Sequence, residues 1–422
     1  MTTPGIAIGL DLGTSGLRAA LISADGATLS LANVPIAEED RRTPQAWWQA
    51  SIAAVRNLDA DLCEVRAIAV DGTSGTVLPI DAQGEPLGPA SLYNDPADPM
   101  HAASIAAIAA PDSAARGAAS PLAKILGWRR LPRLARVLHE ADWLAARLHG
   151  RFDITDWNNA LKTGFDPRTL CWPDWLEKLD IDRALLPTPV EPGTALGPIT
   201  HAAAAALGLA PNTIVAAGTT DGCAAFLATG AAEPGDGVTS LGSTLTLKML
   251  SPRPIFAPAY GVYSHRLGPL WLAGGASNSG GAALARHFDP ATIAALSRRI
   301  DPAAPSACDY YPLPATGERF PVADPCQASR HTPRPADDAA FLHGLLLGIA
   351  RIEVRGYRRL QELGGPAVRT VFSLGAGAAN PAWAAIRRRT LGVDLRPPHA
   401  PDAASGTARL AARAAKQEMT TG

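Results

Sequence analysis

The sequence predicts an α/β protein of two similar domains with a cleft between them. A strand, a Gly/Ser/Thr turn and a second strand occur twice, as GLDLGTSGLRAALI at Gly9 to Ile22 and as VTSLGSTLTLKML at Val238 to Leu250, about 230 residues on. After each hairpin the strand and helix patterns recur, which is the signature of layered α/β units. The chain of 422 residues also exceeds the roughly 250–300 residues at which single cores stop growing.

The elements follow in order. Ile6–Asp11 and Leu17–Ser23 form the first hairpin, and the Ala24-Asp25-Gly26 turn leads to a third strand near Thr28–Val34. A helix is expected from about Thr43, with Pro44 in its first turn, through Asn57. Val65–Asp71 is an apolar strand ending at Gly72-Thr73-Ser74-Gly75, and Thr76–Ile80 is expected to be another hairpin arm. His101 to Leu148 has the pattern of helices, and Thr155 to Leu179 that of an irregular, substrate-facing region. Ile214–Ala217 is a strand ending at Gly218-Thr219-Thr220-Asp221-Gly222, with an alanine-rich helix to about Thr229. Gly230 to Gly237 is the linker candidate. Trp271–Gly275 is a strand, followed by SNSGG and a helix from Ala282, and the proline-rich 301–337 is expected to be loop. Asp337 and Asp338 open a long helix with apolar positions at Phe341, Leu345, Ile349, Ile352 and Leu360, stopped by Gly364-Gly365. Val368–Leu374 is a strand, then comes the loop GAGAANP and a last helix through about Arg389.

Composition narrows the function classes. A formal net charge of −1 gives no reason to expect nucleic acid or an anionic membrane as partner. Five scattered cysteines have no metal-ligand spacing and form no disulfide framework. The chain enters a strand directly after MTTPG, without a basic-then-apolar signal segment, and its longest uncharged stretch, Ala202 to Thr220, is too weakly hydrophobic to span a bilayer. A soluble cytoplasmic protein is the expectation.

Candidate chemistry sits at the turns. Gly13-Thr14-Ser15 and Gly242-Ser243-Thr244 have no bulky side chains, so their backbone N–H groups can donate to phosphate oxygens. Asp11, at the end of the first strand, either orders its turn or holds Mg²⁺ through water. Asp221 is either the N-cap of the following helix or a general base toward a substrate hydroxyl. In the third constellation, Gly375 and Gly377 let a nucleotide pass close to backbone, while Asn380 and Trp383 open the next helix. A dinucleotide fingerprint fits this loop poorly, because Asn380 replaces its third glycine, and the chain has no Gly-x4-Gly-Lys-[ST] motif. The segments Asp71-Gly72-Thr73-Ser74-Gly75 and Tyr93-Asn94-Asp95 either line a sugar pocket or are ordinary turns.

Taken together these segments resemble the FGGY carbohydrate kinases of the actin-like ATPase superfamily. The matching pieces are GLDLGTSGLRAAL, AVDGTSGTVLPID, SLYNDPAD, TDWNNALKTGFD, AGTTDGCAAFLATG, TSLGSTLTLKM, GGASNSGG and SLGAGAANPAWAAIRRRTLG, in family order along almost the whole chain. The short length, DLGTSGLR and GTTDG look most like the compact D-ribulose kinase branch, also labelled as xylulose kinases. The resemblance implies two actin-like (ribonuclease H-like) ATPase domains with an interdomain catalytic cleft. The first, over 1–229 and completed by 402–422, would carry the sugar and the base; the second, over 230–401, would carry the nucleotide. It implies ATP and Mg²⁺ as cofactors and a small sugar as partner, with no nucleic acid or membrane, and leaves monomer and homodimer undistinguished. Asp221 matches the catalytic base and, with Asp11, the metal-adjacent carboxylates; Asp11, Ser74, Asp95 and Asp221 are the implied sugar contacts. Gly13, Thr14, Ser15, Gly242, Ser243 and Thr244 match phosphate-facing turn residues, and Gly375, Gly377, Asn380 and Trp383 match the adenosine loop. Two departures concern the sugar: the family's tryptophan is Tyr93 here, and its arginine two beyond Asp95 is Ala97. The implied reaction is transfer of the γ-phosphoryl of MgATP to a ketopentose, D-ribulose first, with D-xylulose or a polyol as the competitor. A sugar sensor without catalysis and a chaperone-like ATPase are the more distant readings.

Overall fold

The computed structural model describes residues 6–305 and 308–421, so residues 306 and 307 of the proline-rich stretch lie outside the described part. The chain divides into two units, one of Met1–Gly230, His265–Gly268 and Asp402–Gly422, the other of Ala231–Ser264 and Pro269–Pro401.

The strands of the first unit are β1 (Ile6–Gly13), β2 (Gly16–Ile22), β3 (Thr28–Pro35), β4 (Val65–Gly72), β5 (Val77–Ile80), β6 (Arg136–His139), β7 (Ile154–Asp156), β8 (Thr188–Val190), β9 (Ala195–Pro198) and β10 (Ile214–Thr220). Six of them form one sheet in the order β3-β2-β1-β4-β10-β9. β1, β4 and β10 run parallel, so their carboxyl ends meet at one edge of the sheet.

Period-two alternation divides the two faces of this sheet. Ile8, Leu10, Leu12, Ile68 and Val70 join the main core, where helices Pro44–Arg56 and Glu140–His149 contribute the edge-to-face pair Trp47 and Trp143. Ala7, Ala67 and Ala69 face the other way, onto the helix Ala403–Thr421. That helix lies almost on the backbone. A Cβ on Gly9 would fall 2.0 Å from the carbonyl oxygen of Ala404 and 2.3 Å from the nitrogen of Ala408. The C-terminal helix therefore completes the first unit through small residues, and glycine at position 9 is a packing requirement.

Three expectations are corrected here. The region His101 to Leu148 is not all helix, because it contains β6. Val77–Ile80 pairs antiparallel with β6, not with the strand before it. β10 does not stop at Ala217 but runs to Thr220 through a register shift between Ala216 and Thr219. The Gly-Thr-Thr-Asp-Gly segment has turn composition, but Gly218 is there for close approach: a Cβ would sit 1.6 Å from the Val70 carbonyl oxygen.

The second six-stranded sheet repeats the plan with β11 (Asp236–Leu241), β12 (Leu245–Ser251), β13 (Tyr263–Leu267), β14 (Leu270–Ser277), β15 (Thr370–Leu374) and β16 (Asp394–Arg396), in the order β13-β14-β12-β11-β15-β16. β11 pairs antiparallel with β12 and parallel with β15, as β1 does with β2 and β4. Helix Asp338–Glu362 buries Phe341, Leu345, Ile349, Ile352 and Leu360, the stripe that the sequence shows. The proline-rich segment is irregular, yet it puts Tyr310, Tyr311, Leu313 and Phe320 into the core.

Candidate functional site

At the carboxyl edge of the first sheet, Asp11 on β1 lies opposite Asp71 on β4, and Asp71 lies opposite Thr219 on β10. Asp221 follows two residues later as the first residue of helix Asp221–Ala228. Thr220, not Asp221, occupies the cap position; the Asp221 Oδ1 accepts from the N–H of Gly222 at 2.6 Å. The carboxylate is only partly buried.

Asp11 is 4% exposed, and Arg18 Nη1, from the facing position of β2, donates to its Oδ2 at 3.1 Å. Burial pushes its carboxyl above the ordinary range and Arg18 opposes that, with the Asp221 charge pushing the same way as burial. Asp71 is fully buried; Thr407 of the C-terminal helix donates to its Oδ2, and its Oδ1 has no hydrogen-bond partner among the described residues. Burial, then the charge of Asp11, holds Asp71 well above the usual carboxylate range. Glu140 is held well above it as well, by burial first and then by Asp221 and Asp11, against the hydrogen bonding of Thr73. Four acids thus share one edge, and burial pushes the carboxyls of two of them, Asp71 and Glu140, well above the usual range.

A cavity of about 190 Å³ opens beside this edge, lined by Leu12, Gly13, Thr14, Thr73, Tyr93 and Glu140 among others. Of the expected sugar contacts Asp11, Ser74, Asp95 and Asp221, none is in its wall; their chain neighbours Leu12, Thr73 and Asn94 are. Alternation explains Asp11, which shares the face of Ala7 and Gly9, while Leu12 turns to the other side. Asp95 is held by its neighbours: Arg42 binds it through two nitrogens, Leu92 N–H donates to it at 2.7 Å, and its carboxyl is lowered to about 2, chiefly by Arg42. Lys124, with a pKa lowered by burial to about 8, ties the loops at Gly75 and Leu92 together by donating to the carbonyls of both. Ser74 Oγ is buried without a partner among the described residues.

The hairpin turns match between the units. Thr14 and Ser15 are exposed beyond a half-buried Gly13, and Ser243 and Thr244 are exposed beyond a half-buried Gly242. In the second unit the turn is seated on the start of helix Gly281–Ala285: Gly281 N–H donates to the Gly242 carbonyl at 2.8 Å and Ala282 N–H to that of Ser243 at 3.0 Å. Glu318 fixes the preceding SNSGG loop through Ser277 at 2.6 Å and Asn278 N–H at 2.8 Å. Gly375, at φ 83°, packs on Leu241, and a Cβ on Gly377 would lie 2.6 Å from the Trp383 ring. Asn380 caps helix Pro381–Leu391 by accepting from Trp383 N–H at 3.1 Å. Trp383 itself is buried in the core, with Nε1 lacking a partner among the described residues. Its geometry is that of packing, and Asn380's is that of a cap.

Sequence reasoning missed Glu140, Arg42, Lys124 and Thr407. No motif marks them, because each acts across 32 residues or more of chain. Among the described residues no group of three or more His, Cys, Asp or Glu is arranged to hold a metal, and no helix is long and apolar enough to cross a membrane. Asp11 and Asp221 offer hard oxygen donors of the kind Mg²⁺ takes when phosphate oxygens and water complete its shell.

Comparison with known proteins agrees with this architecture. Residues 6–108 match the N-terminal domain of the FGGY family of carbohydrate kinases. A xylulose kinase of Streptomyces rubiginosus is 28% identical over 275 residues, 59% of this chain and 55% of that protein. A ribulokinase of Geobacillus thermodenitrificans is 26% identical over 295 residues, 58% of this chain and 52% of that protein. The matched part thus spans about half the length of these curated relatives. A crystal structure of a xyloylose kinase from Brucella ovis superposes with a TM-score of 0.84 at 25% identity, covering 98% of this chain and 91% of that one. A ligand-bound xylulose kinase from Lactobacillus acidophilus gives 0.82 at 17% identity, over 98% and 90%. Residues 6–108 thus resemble an FGGY N-terminal domain, and the chain has the fold of the FGGY sugar kinases.

Proposed function

We propose that this protein is an ATP-dependent sugar kinase that transfers the γ-phosphoryl of MgATP to the terminal hydroxyl of a ketopentose, D-ribulose in the first instance. The observation that carries the reading is the meeting of Asp11, Asp71 and Asp221 at one carboxyl sheet edge, beside an exposed Thr-Ser turn and a small polar cavity. At about 190 Å³ the cavity has room for roughly six waters of about 30 Å³ each, the scale of a small polyhydroxy compound.

In this mechanism the sugar lies in the first unit with its terminal hydroxyl at Asp221, which accepts the proton as the oxygen attacks phosphorus. The backbone N–H groups of Gly13-Thr14-Ser15 and of Gly242-Ser243-Thr244 steady the phosphate charge. Gly375 and Gly377 give the adenosine a side-chain-free approach. Asp11, kept in place by Arg18, and Asp221 would hold magnesium, which when bound with the nucleotide would supply charge neutralisation.

D-xylulose is the second reading, favoured by the curated relatives named xylulose kinase. The test is ATP consumption with Mg²⁺ across D-ribulose, D-xylulose, L-ribulose, ribitol, xylitol and glycerol against a sugar-free blank. Stimulation by D-ribulose above the others is the expected result, and stimulation by another member replaces the substrate. Asp221→Asn should abolish transfer while nucleotide binding persists, and retained turnover in that variant refutes the mechanism. A sensor without catalysis would bind sugar and form no ADP.

A further inference from the structure

We infer that Glu140 is a specificity-determining residue of the sugar cavity, hydrogen-bonded to a substrate hydroxyl other than the one that is phosphorylated. The inference rests on the sugar-kinase reading and concerns a residue that no motif marks. Glu140 opens helix Glu140–His149 and lies against the end of β4. Gly72 makes room for it: a Cβ there would stand 2.9 Å from Glu140 Cγ and 3.0 Å from Oε1. The side chain is 5% exposed, and what opening it has is toward the cavity whose wall it forms with Thr73, Thr76, Tyr93, Asn94 and Arg41. Oε1 accepts from Thr73 N–H at 2.5 Å, and Thr73 is the carboxyl's protein donor among the described residues.

A carboxyl in such a place would cost stability if it served packing alone, since an apolar side chain would fill the same volume without desolvating a polar group. The surrounding wall is similarly underused. Arg41 Nε is buried without a partner among the described residues, and Asn94 and Tyr93 bring further polar atoms to the same space. This is the pattern of a pocket in which a few convergent polar groups are completed by a ligand rich in hydroxyls. Burial, and then the charges of Asp221 and Asp11, push the Glu140 carboxyl well above the usual range; in its protonated form it both donates and accepts, so it can discriminate the configuration of a hydroxyl-bearing carbon. Glutamine, with the same shape and both functions, should therefore replace it, and leucine or alanine should not.

The experiment compares wild type with Glu140→Gln, Glu140→Leu and Glu140→Ala, by calorimetric titration with the six sugars and polyols above and by steady-state kinetics with MgATP. Losing one hydrogen bond worth about 0.5–1.5 kcal/mol corresponds to roughly 2–13-fold in affinity. The expected result is a rise of about tenfold in Kd and KM for the preferred sugar in the leucine and alanine variants. Their kcat should stay within about threefold, selectivity among stereoisomers should fall, and Glu140→Gln should recover most of the affinity. Thermal unfolding identifies any variant that does not fold, and alanine stands in should leucine be that one. Unchanged Kd and KM for every sugar in both truncating variants overturns the inference while leaving the kinase reading intact. Sugar binding by a wild type that transfers nothing refutes the kinase reading, and the Glu140 result then stands or falls on Kd alone. Binding of none of the six, with or without MgATP, overturns both.

Discussion

Gly9→Ala places one methyl group where the structure has none to spare. Its Cβ would lie 2.0 Å from Ala404 O, 2.3 Å from Ala408 N and 2.9 Å from Thr407 C, all main-chain atoms that no rotamer change can move. Reaching ordinary contact at 3.4 Å requires the helix Ala403–Thr421 to retreat by about 1.4 Å. That retreat loosens the alanine contacts with Ala7, Ala67 and Ala69 and draws Thr407 away from Asp71. Overpacking of a tight contact costs about 1–3 kcal/mol, and a rigid backbone puts Gly9→Ala at the upper end, about 2–3 kcal/mol. For a unit of more than 200 residues, each kcal/mol lowers Tm by about 2–4 °C, so a fall of about 4–12 °C is expected. Differential scanning calorimetry should show it in the transition of the first unit. Limited proteolysis should cut the C-terminal helix first, and sugar-dependent ATP turnover should fall with it. A transition within about 1 °C of wild type, with the helix still protected, would refute the claim that this helix is seated on Gly9.

Three further perturbations test the electrostatics. Arg387→Met leaves Glu353 buried without the guanidinium that binds it at 2.7 and 2.8 Å, which should cost about 3–5 kcal/mol in denaturant unfolding; adding Glu353→Leu should recover much of it. Asp71 is raised well above 3.8, so its stabilising contribution is present at low pH and is lost as the pH rises and ionisation is forced. The Tm of Asp71→Asn relative to wild type should therefore climb as the pH rises above 3.8, and a flat difference would contradict a raised Asp71 carboxyl. Asp95 has the opposite sign: lowered from 3.8 to about 2, it stabilises above pH 4, and that contribution disappears as the pH falls through 2. Arg42→Ala should cost no more than about 1 kcal/mol at pH 7, because the pair is partly exposed, and the difference from wild type should shrink between pH 4 and pH 2.

Local pattern was sufficient for much of this molecule. The two hairpins, with their exposed hydroxyl pairs, were legible because a Gly-[ST]-[ST] turn between apolar strands leaves few other conformations. The long helix was legible because Phe341, Leu345, Ile349, Ile352 and Leu360 keep one face inward over 25 residues. The site was legible only in part. Asp11 and Asp221 stand out as acids at strand ends, but Asp95 at a turn gives no sign of Arg42, and Gly218 has the composition of a turn while sitting inside a strand.

What the amino-acid sequence determined by itself was the repeated strand-turn-strand plan, the register of its apolar faces and the acids at the carboxyl ends of strands. These follow from backbone preference and side-chain period, which are local properties. Only the tertiary structure decided which carboxyls are raised above their usual range, which loops share the cavity, and that the last helix lies on the first strand. Those outcomes depend on burial and on contacts between residues far apart in the chain, 336 positions in the case of Asp71 and Thr407, and no local pattern encodes a desolvation that the rest of the chain supplies.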